Sequence, residues 1–169
     1  DNCGRTLDPQ DLREIKCRIC SDTPEFRDSE HFFYRLDRFQ EALEIHASDR
    51  NPNWKATVRA MTKQWLDMGL RPRAVTRDLD WGISLPLEGE QWNGKCVYVW
   101  FEAVIGYLSA AKEWATSIGN PSAWEDFWRD PNVKAYYFLG KDNIPFHTII
   151  WPGMLMGYDD ELNLPFDVP

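Results

Sequence analysis

The spacing of apolar residues changes character along the chain, and each change marks an element. The run from His31 to Leu36 is aromatic enough for a short strand. Asp37 then offers an N-cap carboxylate and Gln40 an N3 amide, so a capping box should open a helix that places Phe39, Leu43 and Ala47 on one face. A second helix is expected from Asn51 and Pro52, with proline at its first position. It would bury Trp54, Val58, Met61 and Trp65 before Gly69 ends it. Residues 71–77 are basic and irregular, and Trp81 to Leu87 alternates like an edge strand closed by a loop at Glu88 to Glu90.

Beyond residue 96 the pattern becomes strand, helix, strand, helix. Val97 to Phe101 and Ala135 to Leu139 are short continuous apolar runs. The first leads into a helical stretch carrying Ala103, Tyr107, Ala110, Ala111 and Trp114. The second leads through Gly140, Lys141, Asp142 and Asn143 into a helix from Ile144 to Met156. Strands apolar on both faces and alternating with helices predict parallel pairing and an α/β architecture. Two strands and a terminal segment from Leu162 to Val168 are too few for a sheet that stands alone, so half of a doubly wound sheet is expected. We divide the chain into residues 1–96, a cysteine-bearing helical part, and residues 97–169.

With 169 residues, 43% hydrophobic and 27% charged, the chain has the composition of a globular domain or two small lobes sharing a core. No stretch approaches the roughly 20 apolar residues of a membrane span, and residues 1–20 lack a basic-then-apolar leader pattern, so a cytoplasmic protein is expected. Residues 1–78 carry 14 basic and 14 acidic side chains and residues 79–169 carry 5 and 13, which places the whole net charge of −8 in the second part. Generic nucleic-acid binding needs clustered Lys and Arg, so no bulk electrostatic grip is expected from this segment, which leaves local contacts open.

Three of the four cysteines lie in the first twenty residues. Cys17-x-x-Cys20 has the spacing at which two thiolates converge on one Zn2+, and Cys3 followed by Gly4 looks like the second half of another such knuckle. A redox pair and free buried thiols are the alternatives. The loop-like Ser21 to Pro24 disfavours the redox setting of strand followed by helix. Cys96 reads as a small strand hydrophobe.

Ligands of open α/β folds sit beyond the carboxyl ends of the strands, so the two strand-to-helix junctions carry the candidate chemistry. Gly140 allows close backbone approach there, and Asp142 could cap its helix or accept from sugar hydroxyls. His147 lies one turn into that helix with Trp151 four residues further on the same face, and Tyr107 could face them. Such a cluster suits an apolar ligand with a soft atom such as sulfur, and equally suits plain core. No nucleophile, base and acid triad and no glycine-rich phosphate loop is present.

Five strings in order, spread over essentially the whole chain, resemble the bacterial-type methionyl-tRNA synthetases, class I aminoacyl-tRNA ligases. They are Cys3-Gly4 with Leu7-Asp8-Pro9 leading to Cys17-x-x-Cys20; the segment from His31-Phe32-Phe33; Thr76 to Gly82; Tyr98 to Ala103 with Ile105-Gly106-Tyr107; and Gly140 to Ile144 with His147 and Trp151-Pro152. The resemblance implies part of a zinc-knuckle connective-peptide insertion followed by the second half of a Rossmann-type catalytic domain. It implies a methionine pocket at Trp100, Ala103, Val104, Tyr107, His147 and Trp151, where the Tyr107 hydroxyl and His147 read the thioether. Arg77, Gly140, Asp142 and Asn143 would line the adenylate, and Cys3, Cys17 and Cys20 would hold structural zinc. Methionine, Mg2+ with ATP, and tRNA(Met) are the partners it implies.

Val104 stands where some members have proline, and Glu102 where aspartate is usual. The family's His-Ile-Gly-His and Lys-Met-Ser-Lys-Ser motifs do not occur in these residues. The resemblance therefore implies a middle piece of the ligase that does not activate methionine by itself. The competing readings are a non-catalytic zinc-ribbon binding module, a degenerate synthetase paralogue, and a class I synthetase for another amino acid.

Overall fold

A computed structural model of the chain describes residues 13–16, 21–23, 28–50, 52–79 and 81–169. It divides into two compact units, Asp1–Glu30 and His31–Pro169. In the first unit the described backbone includes left-handed conformations at Glu14 and Ser21. Everything below concerns the second.

That unit mixes helix and strand, as expected. Its strands are β1 (Phe33–Tyr34), β2 (Arg73–Ala74), β3 (Thr76–Asp78), β4 (Lys95–Val97), β5 (Ala135–Tyr136) and β6 (Pro165–Asp167). Its helices are α1 (Gln40–Arg50), α2 (Ala56–Asp67), α3 (Val99–Ser117), the single turn α4 (Glu125–Trp128) and α5 (Trp151–Tyr158). The strands form three two-stranded ladders: β1 with β2 antiparallel, β3 with β4 antiparallel, and β5 with β6 parallel. The parallel pairing expected in the second part is thus found between β5 and the terminal segment, through an α5 crossover. Among the described residues β4 instead closes a hairpin-like ladder on β3, with Arg77 opposite Cys96.

Several boundaries differ from the sequence pattern, each for a tertiary reason. The apolar run Val97 to Phe101 is not one strand. The Tyr98 amide donates to the Val75 carbonyl at 2.8 Å as the ladder ends, and the Phe101 amide turns back to the Tyr98 carbonyl at 2.9 Å, so α3 takes over at Val99. Asp37 does not cap a helix: Arg35 grips its carboxylate, with Nη2 at 2.6 Å, and a 3-10 turn spans Leu36–Phe39. With both carboxylate oxygens engaged by the Arg35 guanidinium, Asp37 is turned away from the capping position. Gln40 is redirected to α2, its Nε2 donating to the Leu66 carbonyl at 3.1 Å and its Oε1 accepting from the Leu70 amide at 2.8 Å.

The second helix begins at Ala56, not Asn51, because Trp54 is drawn away. Its indole is buried, donates to the Phe166 carbonyl at 3.3 Å and meets the His46 ring edge-on. Gly69, at φ +76°, ends that helix as expected, in a backbone conformation that glycine adopts without strain. Trp81 to Leu87 makes no regular strand among the described residues. It contributes one bridge, Ser84 to Cys96, and an Ile83 carbonyl that accepts from the Val97 amide.

Two apolar clusters hold the unit together. One joins Trp54 and Val58 to Val104, Leu108, Trp151 and Leu155. The other joins Leu36 and Leu43 to Phe101, Ile149 and Ile150. Both clusters cross the 96/97 point, so the two parts share one core. Burial on α3 falls on Phe101, Val104, Leu108 and Ala115, leaving Ala103, Tyr107, Ala110 and Trp114 on the open face. Cys96 is buried in β4 as a free thiol, its Sγ 3.3 Å from the Leu79 carbonyl oxygen.

Candidate amino-acid pocket

The helical stretch after β5 departs from regular α geometry at the place where the candidate residues lie. A 3-10 turn spans Lys141–Asn143, Phe146–Ile150 widen into a π-helical turn, and α5 resumes at Trp151. Pro152 contributes to this irregularity, since proline cannot donate into the helical ladder. Widened turns of this type are frequently found at functional sites.

His147 sits in that turn, 4% exposed. Its Nδ1 lies 2.9 Å from the Asn143 carbonyl oxygen, which can only accept, so Nδ1 carries the proton. Nε2 of the neutral ring is then an acceptor, and the Tyr107 hydroxyl 2.9 Å away donates to it. Burial pushes the His147 pKa below the ordinary histidine value, with the Asn143 bond opposing in part, which keeps the imidazole neutral at neutral pH.

Aromatic rings surround this pair. Tyr107 stands edge-on to Tyr137 at 5.2 Å between centroids and lies 6.2 Å from the Trp151 ring. Tyr137 is 5.4 Å from the His147 ring, and Trp128 meets Trp151 edge-on at 6.0 Å. The Trp151 indole donates to the Tyr137 hydroxyl at 3.0 Å. Burial raises the Tyr137 pKa, so the phenol stays protonated. Tyr137 was missing from the sequence-derived set. The run Ala135 to Leu139 marked it as strand interior, and nothing in that pattern distinguishes a phenol that packs from one that also accepts a hydrogen bond.

The arrangement contains no ionised group and no activated nucleophile. It offers soft aromatic walls, the unused lone pairs of the Tyr107 oxygen, and a Tyr137 proton with no acceptor among the described residues. The arrangement suits a polarizable side chain, and it holds no group equipped for bond-making.

Of the residues singled out from sequence, the structure brings together Tyr107, His147 and Trp151, with the Asn143 carbonyl as the clamp on the imidazole. Trp100 lies two turns before Tyr107 on α3 and packs on Phe146 at 5.4 Å, beside His147 in the chain. Ala103 is exposed between them, whereas Val104 is buried in the cluster that contains Trp151. Gly140 is extended at the end of the β5 segment, and Asp142 is exposed and makes no hydrogen bond among the described residues. Arg77 is fixed on β3, its guanidinium donating to the Ala74 and Thr76 carbonyls and lying 4.0 Å over the Tyr98 ring. Its observed contacts do not reach the Tyr107 cluster. Cys3, Cys17 and Cys20 lie outside the described residues. Among the described ones, no three His, Cys, Asp or Glu side chains gather closely enough to hold a metal, and no helix is long and apolar enough to cross a membrane.

Comparison with known proteins shows the family. The family model described as tRNA synthetases class I (M) matches residues 1–169. A methionine–tRNA ligase of Thermoplasma acidophilum is 54% identical over all 169 residues, and one of Thermomicrobium roseum is 52% identical over the same length. The chain spans 30% and 28% of those two relatives. A crystal structure of Mycobacterium tuberculosis methionyl-tRNA synthetase bound by methionyl-adenylate matches 89% of this chain and 28% of its own, at 25% identity and a TM-score of 0.65.

Proposed function

The chain belongs to the tRNA synthetase class I (M) family, and from that premise we propose that it supplies the methionine side-chain pocket and part of the adenosine site of a methionine–tRNA ligase. In the complete enzyme a methionine carboxylate oxygen attacks the α-phosphorus of ATP, pyrophosphate leaves, and the methionyl group passes to the terminal adenosine of tRNA(Met). Mg2+ accompanies the ATP. Chemistry of this type needs positioning more than covalent help, which suits a site without a nucleophile.

The observation that carries this reading is the Tyr107–His147 pair. With the proton fixed on Nδ1 by Asn143 and Nε2 filled by Tyr107, the pair presents defined polar edges inside an aromatic wall. A thioether packs well against aromatic edges and accepts a weak hydrogen bond. The pair spends its two protons on each other and on Asn143, so the proton left for a thioether in this cluster is that of the Tyr137 hydroxyl, which leucine or isoleucine would leave unpaired. Trp100 and Ala103 on the open face of α3 extend the pocket, and Val104 supports it from beneath. The Asp142 carboxylate, exposed and without a hydrogen-bond partner among the described residues, supports a role as acceptor for the adenosine, with Gly140 and Asn143 beside it and Arg77 toward the adenylate phosphate.

Residues 97–169 act as the C-terminal half of a Rossmann-type domain, and residues 1–96 as part of a connective-peptide insertion. Thiolates at Cys3, Cys17 and Cys20 would supply three of the four donors that a tetrahedral structural zinc site needs, so the site is incomplete within these residues. The enzyme works in the cytoplasm, where tRNA is charged. The test is amino-acid-dependent ATP–pyrophosphate exchange by the complete polypeptide, comparing methionine with isoleucine, leucine, valine and cysteine. Exchange with methionine alone is expected. Exchange with another amino acid would mean the right fold and the wrong substrate, and none at all would favour a binding module or a degenerate paralogue.

A further inference from the structure

Next to His147 in the π-helical turn, Thr148 meets a hydroxyl of α2 inside the core. Thr62 of α2 is 1% exposed and Thr148 is 0% exposed. The Thr148 Oγ1 donates its proton to the Ile144 carbonyl at 3.0 Å, so the 2.8 Å contact between the two hydroxyls has Thr62 as donor. A valine at either position would fill nearly the same volume without a polar atom to satisfy, and buried hydroxyls are costly unless paired. The pair therefore adds direction to a contact that apolar packing alone would leave free to slide.

The direction falls on the residue next to His147. Consecutive side chains, His147 and Thr148, bond the carbonyls of Asn143 and Ile144, each four residues back. An α-helical ladder would fill those carbonyls from the amides of 147 and 148; an i→i+5 turn shifts that pattern. Three side-chain bonds thus hold this one turn in register, and one of them comes from α2, in the first part of the chain.

We propose that Thr62 and Thr148 are positioning residues for amino-acid recognition: their hydrogen-bonded pair fixes the π-helical turn and through it the orientation of the His147 imidazole toward Tyr107. The proposal rests on the methionine-pocket reading above, with Thr62 acting from outside the pocket. Losing the pair lets the turn relax and moves His147, which weakens methionine binding while leaving the reacting groups in place.

The test uses the complete polypeptide. Wild-type enzyme must first show methionine-dependent pyrophosphate exchange; if it does not, the methionine-pocket reading fails, whatever the threonines do. Thr62→Val is then expected to raise the methionine KM roughly fivefold, the scale of one hydrogen bond, with kcat within about twofold. Thr62→Ser should restore the wild-type KM to within about twofold. Thr148→Val also removes the bond to the Ile144 carbonyl and should raise the KM at least as far as Thr62→Val, and the double variant should be no worse than Thr148→Val alone, because Thr62 then has no partner left to lose. Nitrogen-15 NMR of the histidine side chains should show the His147 Nδ1–Nε2 pattern shifted in Thr62→Val and restored in Thr62→Ser. Should Thr62→Val fail to fold, Thr62→Cys, of similar size and a weaker donor, takes its place. An unchanged methionine KM together with an unchanged His147 spectrum in a folded variant would overturn the proposal, as would a lowered melting temperature with KM unmoved.

Discussion

Removing the Tyr107 hydroxyl is the sharpest probe of the pocket. Tyr107→Phe keeps the ring, so the edge-on contact with Tyr137 at 5.2 Å and the packing on His147 at 5.6 Å survive. What disappears is the donor 2.9 Å from His147 Nε2. His147 is only 4% exposed, so its acceptor is left without a protein partner, whereas Tyr107 is 44% exposed and water can reach part of the vacated place. A neutral hydrogen bond is worth about 1 kcal/mol net, and a stranded buried acceptor costs up to about 3; partial water access puts the loss near the lower end, at about 1 kcal/mol. If this bond orients the groups that read sulfur, the loss falls on methionine and spares its carbon isostere. Pyrophosphate exchange with methionine and with norleucine gives the ratio of kcat/KM values, which should fall roughly fivefold for about 1 kcal/mol. A ratio equal to wild type would remove Tyr107 from thioether reading. Equal losses for both amino acids would assign it to packing.

Further expectations follow from groups elsewhere in the unit. Tyr137→Phe removes the acceptor of the Trp151 indole, 3.0 Å away in the core, and should cost about 1 to 2 kcal/mol in urea unfolding; a loss below about 0.3 would show that bond to be unimportant. The buried Tyr34 hydroxyl has no hydrogen-bond partner among the described residues and lies where a Cβ on Gly153 would fall, 2.8 Å from it. Gly153→Ala should therefore destabilise by about 1 to 2 kcal/mol, and Tyr34→Phe should both stabilise the parent and rescue the alanine variant; additive effects in that cycle would refute the contact. His46, 6% exposed, has its pKa lowered to about 4 by burial and by neighbouring Arg50, against opposing contributions from Asp49 and the Pro165 carbonyl. The fold holds this imidazole neutral, so its contribution is complete above the ordinary value of 6.5 and is lost as pH falls toward 4. That amounts to about 3 kcal/mol in order of magnitude, read as the difference in unfolding free energy between pH 7 and pH 4 for wild type relative to His46→Leu. Equal slopes for the two proteins would refute it. Metal analysis of the complete polypeptide should find one zinc, lost on Cys17→Ser; an unchanged metal content would exclude the thiolate site.

The chain sequence by itself marked most of the helices and the alternation of helix and strand in the second part, and it pointed to the strand-to-helix junctions for the candidate chemistry; Trp81 to Leu87 and Val97 to Phe101 read as strands and are not. Such readings depend on local properties: period, proline and glycine placement, and β-branched or aromatic runs. The same local reasoning picked out Tyr107, His147 and Trp151 by helical spacing, and family resemblance gave them roles. It misjudged boundaries wherever a side chain had a better partner far away. Trp54 leaves α2 for the Phe166 carbonyl, and Gln40 abandons a cap for the end of α2. On α3 the spacing of Ala103, Tyr107 and Trp114 marked a helix without saying which face is buried; Phe101, Val104 and Leu108 are, and a helix apolar on nearly every side has no strong period from which to read that. Tertiary structure alone decided the parallel partner of β5, the π-helical turn, the entry of Tyr137 into the cluster and the Thr62–Thr148 pair. It also decided which nitrogen of His147 carries the proton. Each of these is a contact between residues distant in sequence or a choice among equally allowed hydrogen bonds, and both are settled only when the competing partners are brought to the same place.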